Sequence, residues 1–278
     1  MDIAYVCTNY NNSAFTAAAV DSLLTNVGHC IHVFVVDNAS RAEEVQILRE
    51  LRSRHENVHV IENPTNVGYF AGLNLGIEAA RTLDPKLQWM VVGNNDLEFP
   101  PDFCDCLAQN QEAFRAYAVI SPDIVTLDGL HQNPHVISKI STVREIFYDL
   151  YYSNYYVGQF IYKLAKMFPK ATRRGDEDEW KLARTIAQGH GACYLLAPKF
   201  FETHRVLWAP TFMMHEEFFL SLQLKKAGDQ VFYSPAIRVK HHWHGSLQHV
   251  PSRNRWNMAR DAHRECRKYV KVFDSAKR

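Results

Sequence analysis

The chain has 278 residues, with 31 Lys and Arg against 30 Asp and Glu, 47% hydrophobic and 22% charged residues. These proportions suit one large globular domain or two small ones and exclude a disordered or collagen-like chain. The near-neutral balance argues against a nucleic-acid partner, and no apolar run reaches the ~18–20 residues that span a bilayer.

In chain order, short apolar runs at Ile3–Cys7, Ile31–Val36, Val58–Ile61 and Leu87–Val92 predict buried strands. Helical spacing over Ala14–Leu24, Ala42–Arg54 and Phe70–Arg81 predicts the helices between them, the first with Ser13 as its N-cap. Strands and helices alternating in this way predict βαβ units around a parallel sheet. The Tyr- and Phe-rich stretch Ile146–Phe168 has helical spacing weakened by Gly158. It reads as a helix packed on the domain, or more sharply as a wall or lid for an acceptor. Arg173–Glu179 predicts a solvated loop. His215-Glu216-Glu217 opens the helical segment Phe218–Ala227, which ends in Lys225-Lys226 before Gly228. Carboxylates at its start and cations at its end match the helix macrodipole. Val231–Val239 predicts a further strand, running into His241, His242 and His244.

Each of the first four strands runs into Asn or Asp: Thr8-Asn9-Tyr10-Asn11-Asn12, Asp37-Asn38-Ala39-Ser40, Asn63-Pro64-Thr65-Asn66-Val67-Gly68 and Asn94-Asn95-Asp96. Any one of these loops could be an ordinary turn. Ligands of open α/β sheets bind beyond the carboxyl ends of the strands, so four such ends together predict one polar crevice. Neither GxGxxG nor GxxxxGK[ST] is present. Asp37 could accept hydrogen bonds from a uracil or ribose edge, and Gly68 and Gly72 permit close backbone approach. Asp96 is a hard oxygen ligand for Mg²⁺ or Mn²⁺. A nucleoside diphosphate with a divalent cation would satisfy all of these groups.

The segments VCTNYNN, VVDNAS, NPTNVGYFAGLNLGI and NNDLEFPPDF, followed by QGHGACYLLAPKFF, FMMHEEFFLSLQLKKAGDQVFYSP and HHWHGS, resemble in this order the family 2 glycosyltransferases. The resemblance covers roughly residues 1–135 and 188–250. It implies a GT-A fold and carries site residues over by motif. Thr8 and Asn9 would line the nucleoside pocket, and Asp37 beside Asn38 would hold the base or ribose. Asn66, Gly68, Gly72 and Asn74 would lie beneath the nucleotide and donor sugar, with Gly191 and Ala192 from the acceptor-side glycine motif. Asn94-Asn95-Asp96 stands in the place of the DXD motif, with Asn94 replacing its first carboxylate. Asp96 would therefore meet the metal, joined by His241. Glu217 falls where the family has its general-base Asp, and Glu216 is its neighbour; which of the two is the base stays open. Ser246 matches the ending of the late histidine motif. His242 and His244 read equally as surface or packed residues, and Trp243 as a sugar platform or a packing residue.

Ser252–Arg278 holds nine Lys and Arg against three acids, a charge of +6, which leaves the remainder of the chain at −5. That asymmetry suits a solvated helix edge or a helix resting on anionic lipid. Six cysteines without a CxxC pair predict free thiols, and Met1-Asp2-Ile3 shows no secretory signal. The expected location is the cytoplasm, at the inner face of a membrane if the basic segment touches lipid.

The expected architecture is α/β of GT-A type, Rossmann-like, a mostly parallel sheet flanked by helices. Residues 1–250 would form the glycosyltransferase domain, with a nucleotide-sugar half (1–135), a variable helical insertion (136–187) and an acceptor or catalytic half (188–250). Residues 251–278 would add a basic C-terminal helix. The resemblance implies an inverting, metal-dependent transfer of a sugar from a UDP- or dTDP-linked donor to a saccharide or lipid-linked saccharide hydroxyl, in bacterial surface polysaccharide synthesis. A divalent cation, Mn²⁺ or Mg²⁺, is the expected cofactor. A nucleotidyltransferase and a catalytically inactive carbohydrate-binding protein are the rival readings.

Overall fold

The computed structural model describes residues 1–87, 89–137, 142–167, 179–242 and 252–270. Alternating side chains of the first strands face two different cores, as the period of two in an extended chain dictates. Tyr5, Cys7, Val33, Val35 and Val91 pack on one side, Ala4, Val6, Phe34 and Val92 on the other. The strands are β1 (Asp2–Asn9), β2 (Cys30–Asn38), β3 (Val58–Asn63) and β4 (Trp89–Gly93). Against the first face lie α1 (Ser13–Leu24), α2 (Ala42–Arg54) and α4 (Phe103–Phe114), through residues such as Leu23, Leu48 and Leu107. Against the second lies α3 (Tyr69–Leu83), through Phe70, Leu73 and Ile77. With both faces covered, the strands are apolar throughout, which is why they were legible as continuous runs.

The later strands are β5 (Leu97–Glu98), β6 (Val119–Thr126), β7 (Arg184–Ile186), β8 (Cys193–Leu196) and β9 (Val231–His241). Together they form one sheet in the order β3-β2-β1-β4-β8-β6-β9-β5, with β7 also on β9. The long ladders β1–β2, β2–β3, β1–β4 and β6–β9 are parallel; β8 joins β4 to β6 by short antiparallel ladders. The helices are completed by α5 (Thr142–Ser153), α6 (Tyr155–Met167), α7 (Pro198–Thr203), α8 (Glu216–Lys226) and α9 (Ser252–Cys266). The expected α/β class, a mostly parallel sheet flanked by helices, is what the chain adopts.

Three local expectations change. Ser13 is the first residue of α1 and not its cap; Asn12 holds the cap position without a side-chain cap bond. The Ser13 hydroxyl instead accepts from Asn9 Nδ2 at 3.1 Å. The described part of Ile146–Phe168, up to Met167, lies in two helices, broken near Asn154, whose side chain accepts from Tyr156 N at 2.8 Å. Gly158 stays helical and lies against the Trp256 indole of α9, where an added Cβ would come within 2.7 Å of Nε1. Of the proposed loop Arg173–Glu179 only Glu179 lies among the described residues, where it is paired with Arg184. Trp243, His244 and Ser246 lie outside them.

Candidate active site

The loops after β1, β2 and β4 meet at one rim because these strands are neighbours and run parallel. Their polar residues divide into two sets. One set is spent on holding the loops together. The buried Asn9 amide donates to Asp37 Oδ1 at 2.9 Å and to Ser40 Oγ at 3.1 Å, and its oxygen accepts from Thr16 Oγ1 at 2.8 Å. Asp37 Oδ2 accepts from Ser40 N at 3.0 Å. The Asn95 amide donates to Asn12 Oδ1 at 2.8 Å and to Thr16 Oγ1 at 2.7 Å. Buried polar groups are paired in this way because an unpaired one costs roughly 1–3 kcal/mol. Asn9, Asp37 and Asn95 thus tie three strand ends into one rigid rim.

The other set, together with Asn95, faces a cleft of about 240 Å³ that opens to solvent. Thr8, Asn38, Asn66, Gly68, Asn94, Asn95, Asp96, Gly191, Ala192, Glu216 and Glu217 line it. Among the expected donor-binding residues, Asn9, Asp37, Gly72 and Asn74 do not. Gly72 packs α3 on the rim, where a Cβ would meet Thr8 Cγ2 at 2.7 Å and Asn38 Nδ2 at 2.9 Å. Asn74 clasps the backbone of Leu207, donating to its carbonyl at 2.8 Å and accepting from its amide at 2.9 Å. The cleft also exposes Tyr10, Asn12, Tyr69, His190, Met213 and Met214, which sequence reasoning left out although all six lie inside the quoted motif segments.

Asp96 and His241, distant in sequence, are brought together by strand pairing: Leu97 pairs with His241 across β5 and β9. The His241 Nε2 and Asp96 Oδ1 atoms are 3.3 Å apart, both residues being buried. His241 Nδ1 faces Gln132 Oε1 at 2.7 Å. An amide oxygen only accepts, so with this assigned amide orientation Nδ1 carries a proton, and Nε2 is turned to Asp96 and to the Asn94 amide at 3.2 Å. Carboxylate oxygen and imidazole nitrogen at this spacing fit adjacent positions on a small divalent ion, whose ~2.1 Å bonds at right angles separate two ligand atoms by ~3 Å. Among the described residues no third His, Cys, Asp or Glu completes such a group. The site therefore offers two donors among the described residues.

The acidic pair divides by environment. Before α8 the backbone takes two consecutive left-handed residues, Met214 (φ 78°) and His215 (φ 62°), an uncommon conformation for side chains with a Cβ. Glu216 turns back beneath this turn, and its Oε1 accepts from Met214 N at 2.8 Å. Burial, with the neighbouring Glu217 adding to it, pushes the Glu216 carboxyl up to about 8. Glu217 is only part-buried and its Oε1 accepts from Gly191 N at 3.1 Å. Gly191 has no room for a side chain there, since a Cβ would stand 2.8 Å from that same oxygen. The Tyr69 hydroxyl donates to Gly191 O at 2.8 Å, and burial, Glu216, Glu217 and Asp96 hold its acidity well below that of a free phenol. All three carboxyl side chains line the same cleft. His190 Nδ1 accepts from Ala192 N at 3.2 Å, and burial pushes the imidazole down to about 4, which keeps it neutral.

The model of the family described as glycosyl transferase family 2 matches residues 5–168, more than half of the chain. The chain belongs to this family. A low-salt glycan biosynthesis hexosyltransferase of Haloferax volcanii, Agl10, is 26% identical over 218 residues, which are 78% of this chain and 59% of that relative. The chain thus spans about three fifths of the length of this curated relative. Two solved structures share the fold: GalNAc-T7 with UDP, GalNAc and Mn²⁺, at a TM-score of 0.55 and 13% identity, and S. aureus TarS 1-349, at 0.53 and 11%. Each likeness covers 87% of this chain, and respectively 44% and 60% of the other. The expected GT-A architecture is the one these neighbours have.

Proposed function

We propose that this chain is an inverting, metal-dependent hexosyltransferase. It moves a sugar from a UDP- or dTDP-linked donor to a saccharide hydroxyl during assembly of a surface polysaccharide, and it works at a membrane face. The observation that carries the reading is the convergence of Asp96, Glu216 and Glu217 on one cleft rimmed by Asn side chains. Thr8, Asn38 and Asn66 hold the nucleotide, on a rim that Asn9 and Asp37 keep rigid. Asp96 and His241 hold the divalent cation, with the imidazole oriented by Gln132 as outer partners commonly orient metal-binding histidines. When bound, that cation offsets the negative charge of the diphosphate as the bond to the sugar breaks.

Glu217 acts as the general base. It takes the proton of the acceptor hydroxyl while that oxygen attacks the anomeric carbon from the side opposite the diphosphate. A single displacement of this kind inverts the anomeric centre. Glu216 is the positioning residue: protonated and buried, it fixes the strained turn from which Glu217 projects. The Gly191 amide holds the Glu217 carboxylate in place, and Tyr69 fixes Gly191. A nucleotidyltransferase reading finds no support in the β1–α1 loop, where Tyr10, Asn11 and Asn12 offer neither glycine nor lysine to a triphosphate.

The test is a panel of UDP- and dTDP-sugars with Mn²⁺, assayed for nucleotide release and, with saccharide acceptors, for product anomer by NMR. Glu217→Gln keeps the Gly191 contact and should bind donor normally while kcat falls by roughly 10²–10⁴. Full activity in that variant, or a product that retains the donor's anomeric configuration, refutes the assignment.

A further inference from the structure

Helices α5 and α6 turn apolar side chains to solvent. The two acidic residues of α5 that face α9 are engaged there: Glu145 and Asp149 pair with Arg267 at 2.7 and 2.6 Å, and Asp149 also with His263 at 2.8 Å. On α5, Val143, Phe147 and Leu150 recur at helical spacing and are 65, 56 and 51% exposed. On α6, Tyr156, Phe160 and Met167 do the same at 69, 62 and 70%. A surface helix normally turns this stripe to the core; exposed apolar side chains in such number on two packed helices are of the kind that marks an interaction site.

The helix that packs on this hairpin supplies the charge. Trp256 of α9 lies against Gly158, and the Arg253 guanidinium stands 5.4 Å from the centre of the Tyr155 ring, next to Tyr156. The described part of this C-terminal segment, residues 252–270, holds six Lys and Arg against two acids, a charge of +4. An apolar, aromatic-rich face beside a basic helix matches the chemistry of an anionic bilayer surface. It matches a second copy of this chain poorly, because a two-fold contact through this face would oppose two such basic segments. The chain's own residues 168–178 offer little apolar cover, six of these eleven being charged.

We infer that the α5–α6 hairpin together with α9 is a binding face for anionic lipid bilayers, inserting the two stripes and laying the arginines on the headgroups. The face adjoins the catalytic helix: the Tyr152 ring of α5 is 6.3 Å from that of His215, the residue before Glu216. An acceptor saccharide carried on a lipid would accordingly be presented at the Glu217 end of the cleft. This last consequence rests on the glycosyl-transfer reading; adsorption to the bilayer does not.

The experiment is flotation of the full chain with phosphatidylcholine vesicles, with and without about one part in four of phosphatidylglycerol, alongside light scattering for oligomeric state. The wild type should float with anionic vesicles only, and salt should weaken the binding. Phe147→Ser with Phe160→Ser should lower partitioning at least tenfold while the melting temperature and donor turnover on a soluble acceptor stay unchanged. Arg253→Glu with Arg264→Glu should remove the salt-sensitive part. Failure of the wild type to float, unchanged flotation of the Phe pair, or a wild-type dimer that the Phe pair dissolves would each overturn the inference. Flotation without any donor turnover would refute the transferase reading and leave this one standing.

Discussion

Glu216→Gln should stabilise the protein, and by an amount that grows with pH. The Glu216 carboxyl is pushed from an ordinary 4.5 up to about 8, by burial and then by Glu217. Below pH 4.5 folded and unfolded chains both hold this proton, and the group costs the fold nothing. Between 4.5 and 8 the unfolded chain ionises while the folded one keeps its proton, so stability falls with rising pH by about 1.4 kcal/mol per unit. At pH 7 the accumulated loss is on the order of 3 kcal/mol. Glutamine does not ionise, yet its Oε1 can still accept from Met214 N, so the variant recovers that amount. This corresponds to roughly 6–12 °C in melting temperature for a chain of this size. Thermal melts of both proteins from pH 4.5 to 8.5 should show curves that nearly meet at the acid end and separate to a constant gap above 8. A pH-independent gap, or a glutamine variant less stable at pH 7, would mean that Glu216 is ionised in the fold and would refute its role as a protonated brace.

Gln132→Ala removes the acceptor that fixes the His241 tautomer and should weaken Mn²⁺ binding by roughly 10–100-fold, measured by titration calorimetry with UDP present. Gly68→Ala meets both a left-handed φ of 92° and a Cβ position 2.0 Å from the Phe212 carbonyl oxygen. It should cost at least ~2 kcal/mol, read by urea unfolding, and should loosen the loop that carries Met213 and Met214.

The nucleotide half was readable because its rules are local. A parallel strand buried on both faces is a continuous apolar run, and the residues just past it are by construction at the ligand-bearing end of the sheet. That reasoning located the rim but not which side chains face the cleft. Asn9 and Asp37 look like binding residues in the sequence, yet their hydrogen bonds close on each other and on Ser13, Thr16, Ser40 and Asn95. Facing inward or outward at a loop is decided by a rotation of one peptide, for which residue type carries no signal. The strands β6, β7 and β8 went unread. Val119–Thr126 contains Pro122 and Asp123 at a register shift against β9, and β7 and β8 are only three and four residues long. The α5–α6 hairpin misled in the opposite sense. Its apolar spacing was visible, but periodicity reports a stripe without saying whether core or solvent receives it.

The wall of the cleft also makes its two proposed ligands depend on each other. Among the described lining residues there is no Lys or Arg, while Asp96, Glu216 and Glu217 all bear on Tyr69. A diphosphate entering there meets carboxyl oxygens with no fixed cation among these residues to offset them. A divalent ion entering alone finds, among the described residues, one carboxylate and one imidazole, well short of the six oxygen or nitrogen ligands that it prefers. Each ligand supplies what the other lacks, so they should bind with positive coupling. By thermodynamic reciprocity the factor by which Mn²⁺ tightens UDP equals the factor by which UDP tightens Mn²⁺. A coupling of about 1–3 kcal/mol makes both factors roughly 5–150. Calorimetric titrations in the four combinations measure them independently. Asp96→Asn should bring both towards one together, whereas UDP affinity equally high in EDTA would show that the cleft does not rely on a cation to hold the diphosphate.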